Sequence, residues 1–231
     1  MPDTNLYLDE LPDPMPPDPM IVLAGWLAHA TERKLTPNPN AMTLATVDTG
    51  TRPAQPDARV VLCKSLDAEA GTVVFYTNYH SAKGRQLENL PRATAVFHWD
   101  RLELQARILG PVTRTGSEES DAYFNSRPLI SRLGAWASKQ SQPVSDRAAL
   151  LRQLQEIEAR FEVEDPLDAS QDKPIPRPAH WGGYRLWADE VELWIGQRGR
   201  LHERGRWRRA LDDDGEGGFH GGAWEGRRLQ P

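Results

Sequence analysis

Between residues 41 and 115 the chain offers five short runs of strand composition: "AMTLATVD" (41–48), "ARVVLCKS" (58–65), "TVVFYTN" (72–78), "RATAVFHW" (92–99) and "LELQARILGPVTRT" (102–115). No other feature constrains the fold as much. The first, fourth and fifth alternate apolar with polar residues, as strands do when one face is buried and the other wet. Parallel strands need a crossover of a dozen residues or more, usually a helix. The only helical stretch among these runs is "AKGRQLENL", which Ser81 can cap. Strands and helices therefore do not alternate regularly, which argues against a doubly wound sheet. After residue 181, "GYRLWA", "VELWIGQ", "GRWRRAL" and "AWEGRRLQ" read as closing strands around the turn "DDDGEGG". The expectation is an α+β protein built around an antiparallel barrel.

Helical spacing appears before and after the first strand region. From Pro19 the segment "PMIVLAGWLAHATER" places Ile21, Leu23, Ala24, Leu27 and Ala28 on a stripe. Thr115 and Glu118 have capping-box spacing ahead of "SEESDAYFNSR", and residues 145–161 put Leu150, Leu151, Leu154, Ile157 and Phe161 on one face. Residues 162–180 are acidic and proline-rich, the composition of an exposed loop. Residues 1–19 carry six prolines and five acids, so they read as a flexible or peripherally docked arm, leaving 20–231 as a single domain.

Composition narrows the function. With a formal charge of −5 and a pI near 5.7, a general nucleic-acid binder is not expected; only "RGRLHERGRWRR" (198–209) is locally basic. One cysteine, Cys63, gives no intrachain disulfide framework and suits a reducing cytoplasm. The N-terminus has no basic lead-in to an apolar run, and no stretch is long and apolar enough to span a membrane, so neither a secretory signal nor a membrane partner is expected. Rossmann, P-loop, zinc-protease and nucleophile-elbow signatures are absent, and the six histidines have no metal-ligand spacing. No metal is expected.

Cations, hydroxyls and amides gather in five places. Arg59 and Lys64 bracket the second run; they are either solvated strand ends or ligands, and alternation sends them to opposite faces. Tyr76 and Thr77 end a strand, and Lys83 opens the helix after Ser81, either a plain cap or an anion cradle at a helix N-terminus. Gln105 sits among alternating apolar residues, suited either to a cross-strand amide contact or to a planar heterocycle. Tyr123 and Arg127 share a helical face with Ser131 just beyond, followed by Lys139, Gln140 and Ser141; phenol, guanidinium and hydroxyl together suit a phosphate monoester. Trp194 precedes Arg200, His202 and Arg204, which alternation places on one face of an extended segment.

Taken in order, "RVVLCK", "FYTNYHSAKG", "LELQ", "SDAYFNSRP", "LGAWASKQS", "HWGGYR", "ELWIG", "RLHER" and the terminal "RLQP" resemble the pyridoxine (pyridoxamine) 5′-phosphate oxidases, from about residue 40 to the C-terminus. The resemblance implies an antiparallel, Greek-key-like split β-barrel with flanking helices and an FMN site at a homodimer interface. It implies oxidation of pyridoxine or pyridoxamine 5′-phosphate to pyridoxal 5′-phosphate, with O₂ as acceptor and H₂O₂ as product. Arg59, Lys64, Tyr76, Thr77, Lys83, Gln105, Gln140, Ser141, Trp194 and Arg204 would then contact FMN. Lys64, Tyr123, Arg127 and Ser131 would hold the substrate phosphate, and Arg200 and His202 would lie over the reacting ring as catalytic residues.

Three departures stand out. Ala82 replaces the arginine of the usual "SRKG", with Arg85 one turn on as a substitute; Ile195 replaces the polar residue of "WQG"; and the arm lacks the Arg-rich segment that covers substrate, leaving Tyr7 unassigned. The rival readings are a related split-barrel flavin oxidase of the phenazine-precursor type, whose substrate lacks phosphate, and a non-catalytic binder of FMN or pyridoxal phosphate.

Overall fold

The computed structural model describes residues 10–34, 36–168 and 173–231. The chain divides into two compact units and passes between them at Phe75/Tyr76, Asn89/Leu90, Thr113/Arg114 and Tyr184/Arg185.

The first unit is an antiparallel sheet. Strands β1 (Ala41–Asp48), β2 (Gln55–Leu62), β5 (Arg92–Trp99), β6 (Leu104–Arg114), β8 (Glu190–Ile195), β9 (Glu203–Arg208) and β12 (Glu225–Leu229) lie in the order β12-β9-β8-β6-β5-β1-β2. Strand β3 (Ser65–Asp67) pairs with β4 (Thr72–Asn78), and β10 (Leu211–Asp213) with β11 (Phe219–Gly221) makes a hairpin around "DDDGEGG". β1, β4 and β5 coincide with three of the expected runs. For β1 and β5 pleating explains why: alternate residues point to opposite faces, so sequence alternation reports burial directly, whereas β4 is buried along nearly its whole length and shows as an apolar run. One face is the core, where Leu44, Ala95, Ile108, Val191 and Trp207 stand side by side across five strands and are buried. The other carries Gln105, Arg107, Glu192, Trp194, Arg204 and Arg206.

Helix α1 (Pro19–Glu32) is capped by Asp18, whose side chain accepts from the Met20 N–H, with Pro19 at its first position. Its buried face runs through Met20, Val22, Leu23, Trp26 and Ala30, so of the expected stripe only Leu23 is fully buried, and Ile21 is exposed. The helix is apolar nearly all round, so spacing alone did not choose a face, whereas the bulk of Trp26, edge-on to Trp99, does. Of the expected arm, residues 10–18 are docked on this unit. Leu11 is buried, its N–H donates to the Glu203 carboxylate (2.6 Å), and Arg228 donates to the carbonyls of Leu11 and Pro12. Tyr7 lies outside the described residues.

The second unit contains α2 (Ala82–Asn89), α3 (Ser117–Asn125), α4 (Leu129–Ala137) and α5 (Arg147–Arg160). Its core gathers Phe124, Leu129, Leu133, Val163, Ile175 and Trp181, with Tyr76, Tyr123, Leu154, Ile157 and Phe161 packed against it. Two expectations are corrected here. Val163 and Ile175 are buried, so the segment expected as an exposed loop supplies core residues. Leu150 and Leu151 of α5 are exposed, because only the later half of the stripe reaches this core. The expected capping box also fails: the N-cap of α3 is Gly116, and the Thr115 hydroxyl turns instead to Ser120 Oγ at 2.8 Å. Among the described residues no helix is long and apolar enough to cross a membrane.

Candidate functional site

In the second unit, the last residues of β4, Tyr76, Thr77 and Asn78, lead through a three-residue turn into α2. Asn78 Oδ1 accepts from the His80 N–H (2.7 Å), and Ser81 Oγ accepts from the Gly84 N–H (3.2 Å), which caps the helix as expected. This turn is tight. A Cβ on Gly84 would sit 2.0 Å from the Tyr79 carbonyl oxygen, so only glycine allows the approach. Lys83 follows the cap in the first helical turn and is buried at 8% exposure. Its ammonium donates to Thr77 Oγ1 (3.2 Å), Gln140 Oε1 (3.2 Å) and Ser81 Oγ (3.4 Å). Thr77 itself donates to Gln140 at 3.0 Å, and Asn78 holds the Ser138 carbonyl, so the turn after α4 is tied to the end of β4. Ser141, next along, sits at a positive φ of 67°. A buried ammonium ringed by neutral oxygens at a helix N-terminus suits a dianionic phosphate and neighbouring hydroxyls. Arg85 does not join this cradle; it is exposed and bonds the His80 carbonyl.

A second cationic position lies in the same unit. α3 stops at Asn125, so Arg127 is not on the Tyr123 helix as expected but in the turn before α4, its N–H bonding the Phe124 carbonyl at 3.2 Å. The sequence "SRP" explains the break, since the proline disfavours helical backbone at Arg127. The guanidinium lies 4.6 Å over the Trp181 ring and 5.7 Å from that of Phe124. Its Nη1 is buried with no hydrogen-bond partner among the described residues. Burial holds this guanidinium below its ordinary pKa; nearby Arg132 acts in the same sense and Tyr123 against it. Tyr123 stacks on Tyr76 with ring centroids 3.9 Å apart, and both lie nearly parallel to Trp181. Ser131 is in the first turn of α4.

In the first unit, register does what sequence spacing did not. Gln105 of β6 pairs with Trp194 of β8, which pairs with Arg204 of β9, so three residues spread over a hundred positions form one row. Arg204 donates through Nε and Nη2 to Glu192 Oε1 at 3.0 and 2.7 Å, and through Nη1 to the Gln230 carbonyl. Glu192 also accepts from Arg107 at 2.9 Å, so its carboxylate, 7% exposed, sits between two guanidiniums. The His202 ring packs at a tilt of 39° with its centroid 4.6 Å from that of Trp194, and its Nδ1 accepts from the Gln197 N–H at 3.1 Å. An accepting Nδ1 puts the hydrogen of the neutral ring on Nε2. Arg200 departs from the expected extended segment: it closes a 3₁₀ turn, Arg198–Arg200, at a positive φ of 62°, so only His202 and Arg204 keep the alternation.

Arg59 stands on the opposite face of the sheet from that row, paired with Leu44 on the core side, donating to Thr46 Oγ1 (2.6 Å) and the Leu44 carbonyl (3.1 Å). Lys64 is not a strand residue as expected: β2 ends at Leu62, and the Lys64 N–H bonds the Val74 carbonyl. The structure thus assembles Thr77, Lys83 and Gln140 in one cluster, Tyr76 and Tyr123 in another with Arg127, and Gln105, Trp194, His202 and Arg204 in a third. Glu192 and Trp181 escaped the sequence reading. The twofold spacing of Glu192 from Trp194 is a usable signal; Trp181 sits within "HWGGYR" without a charge to draw attention.

Residues 28–161 match the family model described as "Pyridoxamine 5'-phosphate oxidase", and residues 181–231 match "Pyridoxine 5'-phosphate oxidase C-terminal dimerisation region". A protein of Acidovorax sp. (strain JS42) named pyridoxine/pyridoxamine 5′-phosphate oxidase is 45% identical over 93% of this chain and 87% of its own length. The protein of that name from Cupriavidus necator is 46% identical over 93% and 90%. Among solved structures, PhzG from Burkholderia lata 383, in complex with tetrahydrophenazine-1-carboxylic acid, superposes with a TM-score of 0.77 at 28% identity, covering 100% of this chain and 97% of its own. A pyridoxamine 5′-phosphate oxidase-related, FMN binding protein from Nostoc punctiforme shares the fold, with a TM-score of 0.60 at 19% identity over 90% of this chain and 96% of its own. The expected α+β antiparallel split barrel with flanking helices is the fold of these neighbours.

Proposed function

The chain belongs to the pyridoxamine 5′-phosphate oxidase family, and from that premise we propose how its own residues carry the reaction. The protein is an FMN-dependent oxidase of pyridoxine 5′-phosphate or pyridoxamine 5′-phosphate, forming pyridoxal 5′-phosphate. Dioxygen is the final acceptor and leaves as hydrogen peroxide, and the enzyme works in the cytoplasm. The observation that carries the substrate assignment is Arg127, a guanidinium with a buried Nη1 lacking any partner among the described residues, set against the aromatic rings of Phe124 and Trp181. Such a group calls for an anionic oxygen acceptor. Tyr123, Ser131 and Lys64 complete the phosphate contacts in this reading.

The residues present fit FMN. Lys83, Thr77, Gln140 and Ser141 would hold its phosphate and ribityl hydroxyls, with Tyr76 beside them; Arg59, Gln105, Trp194 and Arg204 would complete the set. Bound FMN supplies the two-electron acceptor that the side chains themselves lack. Arg59 and the Gln105–Trp194–Arg204 row lie on opposite faces of one sheet. One cofactor touching both must therefore draw on two copies of the chain, which agrees with the match to a dimerisation region and supports a homodimer. Because His202 Nδ1 accepts from the Gln197 N–H, its neutral ring carries the hydrogen on Nε2 and would donate it to the alcohol oxygen or the free amine nitrogen of the substrate, while Arg200 orients the ring.

The PhzG likeness supports a second reading, a flavin oxidase of a reduced ring without phosphate. The 45–46% identity to the vitamer oxidases, against 28%, favours the first. Anaerobic mixing of the FMN-loaded protein with pyridoxine 5′-phosphate tests it. The flavin absorbance should bleach and return with pyridoxal 5′-phosphate on admission of air. A flavin that stays oxidised with both phosphorylated vitamers overturns the substrate assignment. Arg127→Ala should raise KM sharply while FMN remains bound.

A further inference from the structure

We infer that Trp181 is a positioning residue for the substrate phosphate, holding the Arg127 guanidinium face-on so that its Nη1 is ready for an anionic oxygen before substrate arrives. The inference rests on the phosphate assignment of Arg127 above. The geometry has three parts. Arg127 Cζ lies 4.6 Å over the indole, within the range of a cation–π contact, and its Nη1 is buried without a hydrogen-bond partner. The indole is itself fixed. Its plane is within 13° of Tyr76 and 9° of Tyr123, its edge meets Phe124, and the residue is 6% exposed. The backbone beneath it is fixed as well. Arg177 donates through Nη1 to the Trp181 carbonyl (2.7 Å) and through Nε to Asp121 on α3 (2.6 Å), tying β7 (Trp181–Trp187) to the helix that carries Tyr123.

A free arginine side chain samples many rotamers, and that freedom is lost when it grips a phosphate. Stacked on a rigid indole, Arg127 has lost it already, so binding orders nothing further at this position. An aromatic face does this without competing for the guanidinium's donors. A carboxylate partner would have occupied Nη1 and repelled the phosphate.

The test uses FMN-loaded protein with Trp181→Met, which keeps a flexible apolar side chain but removes the π face, and Trp181→Phe, which retains a smaller one. Four quantities are read: KM and kcat for pyridoxine 5′-phosphate, the calorimetric Kd for inorganic phosphate, and the melting temperature. The methionine variant should raise KM and the phosphate Kd on the order of tenfold, the factor that ~1.4 kcal/mol represents, with kcat nearly unchanged. The phenylalanine variant should raise both by roughly two- to fivefold, since the smaller ring gives the weaker contact. In an Arg127→Ala background both effects should vanish, because a residue acting through Arg127 has nothing left to position.

A loss that persists undiminished in that background, or a drop in kcat and melting temperature with phosphate affinity intact, overturns the inference. If the methionine variant fails to fold, the phenylalanine variant and its Arg127→Ala double decide alone. Failure of the parent assignment looks different: Arg127→Ala by itself then leaves KM and phosphate binding unmoved.

Discussion

Gly84→Ala is the change whose cost can be worked most directly from the geometry. The added Cβ would lie 2.0 Å from the Tyr79 carbonyl oxygen, 2.5 Å from its carbon and 2.9 Å from its Cα. All three are backbone atoms, so no side chain can swing aside. Either the Asn78–Ser81 turn or the first turn of α2 must move by on the order of 1 Å, an overpacking strain of ~1–3 kcal/mol. That movement separates Lys83 from Thr77 and Gln140, now 3.2 Å away each, and each lost hydrogen bond adds about 0.5–1.5 kcal/mol. Alanine's better helix propensity returns up to about 1 kcal/mol. The net expectation is a destabilisation of about 2–4 kcal/mol in urea unfolding of the FMN-free protein, and FMN binding weakened roughly tenfold or more in a fluorescence titration. Gly134→Ala is the control: it sits inside α4 with nothing within 4 Å of the new Cβ, and should stabilise by about 0.5–1 kcal/mol. Equal and small effects at both sites, with FMN affinity untouched at Gly84, would refute the reasoning.

Glu192→Gln removes the carboxylate shared by Arg107 and Arg204. The two guanidiniums are 39% and 29% exposed, so water offsets part of the loss; about 1–3 kcal/mol should disappear from urea unfolding, with weaker FMN binding as Arg204 loosens. An unchanged unfolding curve sinks this. Burial pushes the Cys63 thiol from 9.0 up to about 11, outweighing the backbone contacts and Lys64, which lower it. The folded chain therefore keeps a proton that the unfolded chain gives up. The resulting stability is intact below pH 9.0 and lost as pH rises through about 11, at no more than ~1.4 kcal/mol per pH unit. Cys63→Ala should flatten the fall in melting temperature across that window, and an identical slope in both proteins removes Cys63 as its cause. Tyr184, whose phenol burial pushes up to about 12, and Tyr79, pushed up in the same way, add to the alkaline slope.

The legible parts of this molecule were those governed by neighbours in sequence. Lys83 and its Ser81 cap could be read because a strand ending two to four residues before a capped helix is a local event. Arg127 was misplaced on a helix because the proline after it outweighed the four-residue spacing to Tyr123. Arg200 was misplaced in an extended segment because its left-handed backbone has no signature beyond Gly199 beside it. Ala82 and Ile195 were visible as departures. The expectation that Arg85 would replace the missing arginine failed, because its guanidinium is spent on the His80 carbonyl.

By itself the sequence determined the antiparallel α+β class, the limits of β1, β4 and β5, and the residue types available for chemistry. Pleating and helical rise translate directly into periodicity, so these needed no partner. Tertiary structure alone decided which of those residues meet. Gln140 reaches Lys83 across 57 positions, Gln105 stands beside Trp194 and Arg204, and Glu192 is clamped between Arg107 and Arg204. Trp181 comes to lie under Arg127. Each meeting depends on strand register or on a loop closing over a core. Those are set by the burial of side chains far apart in the chain, and no local pattern encodes them.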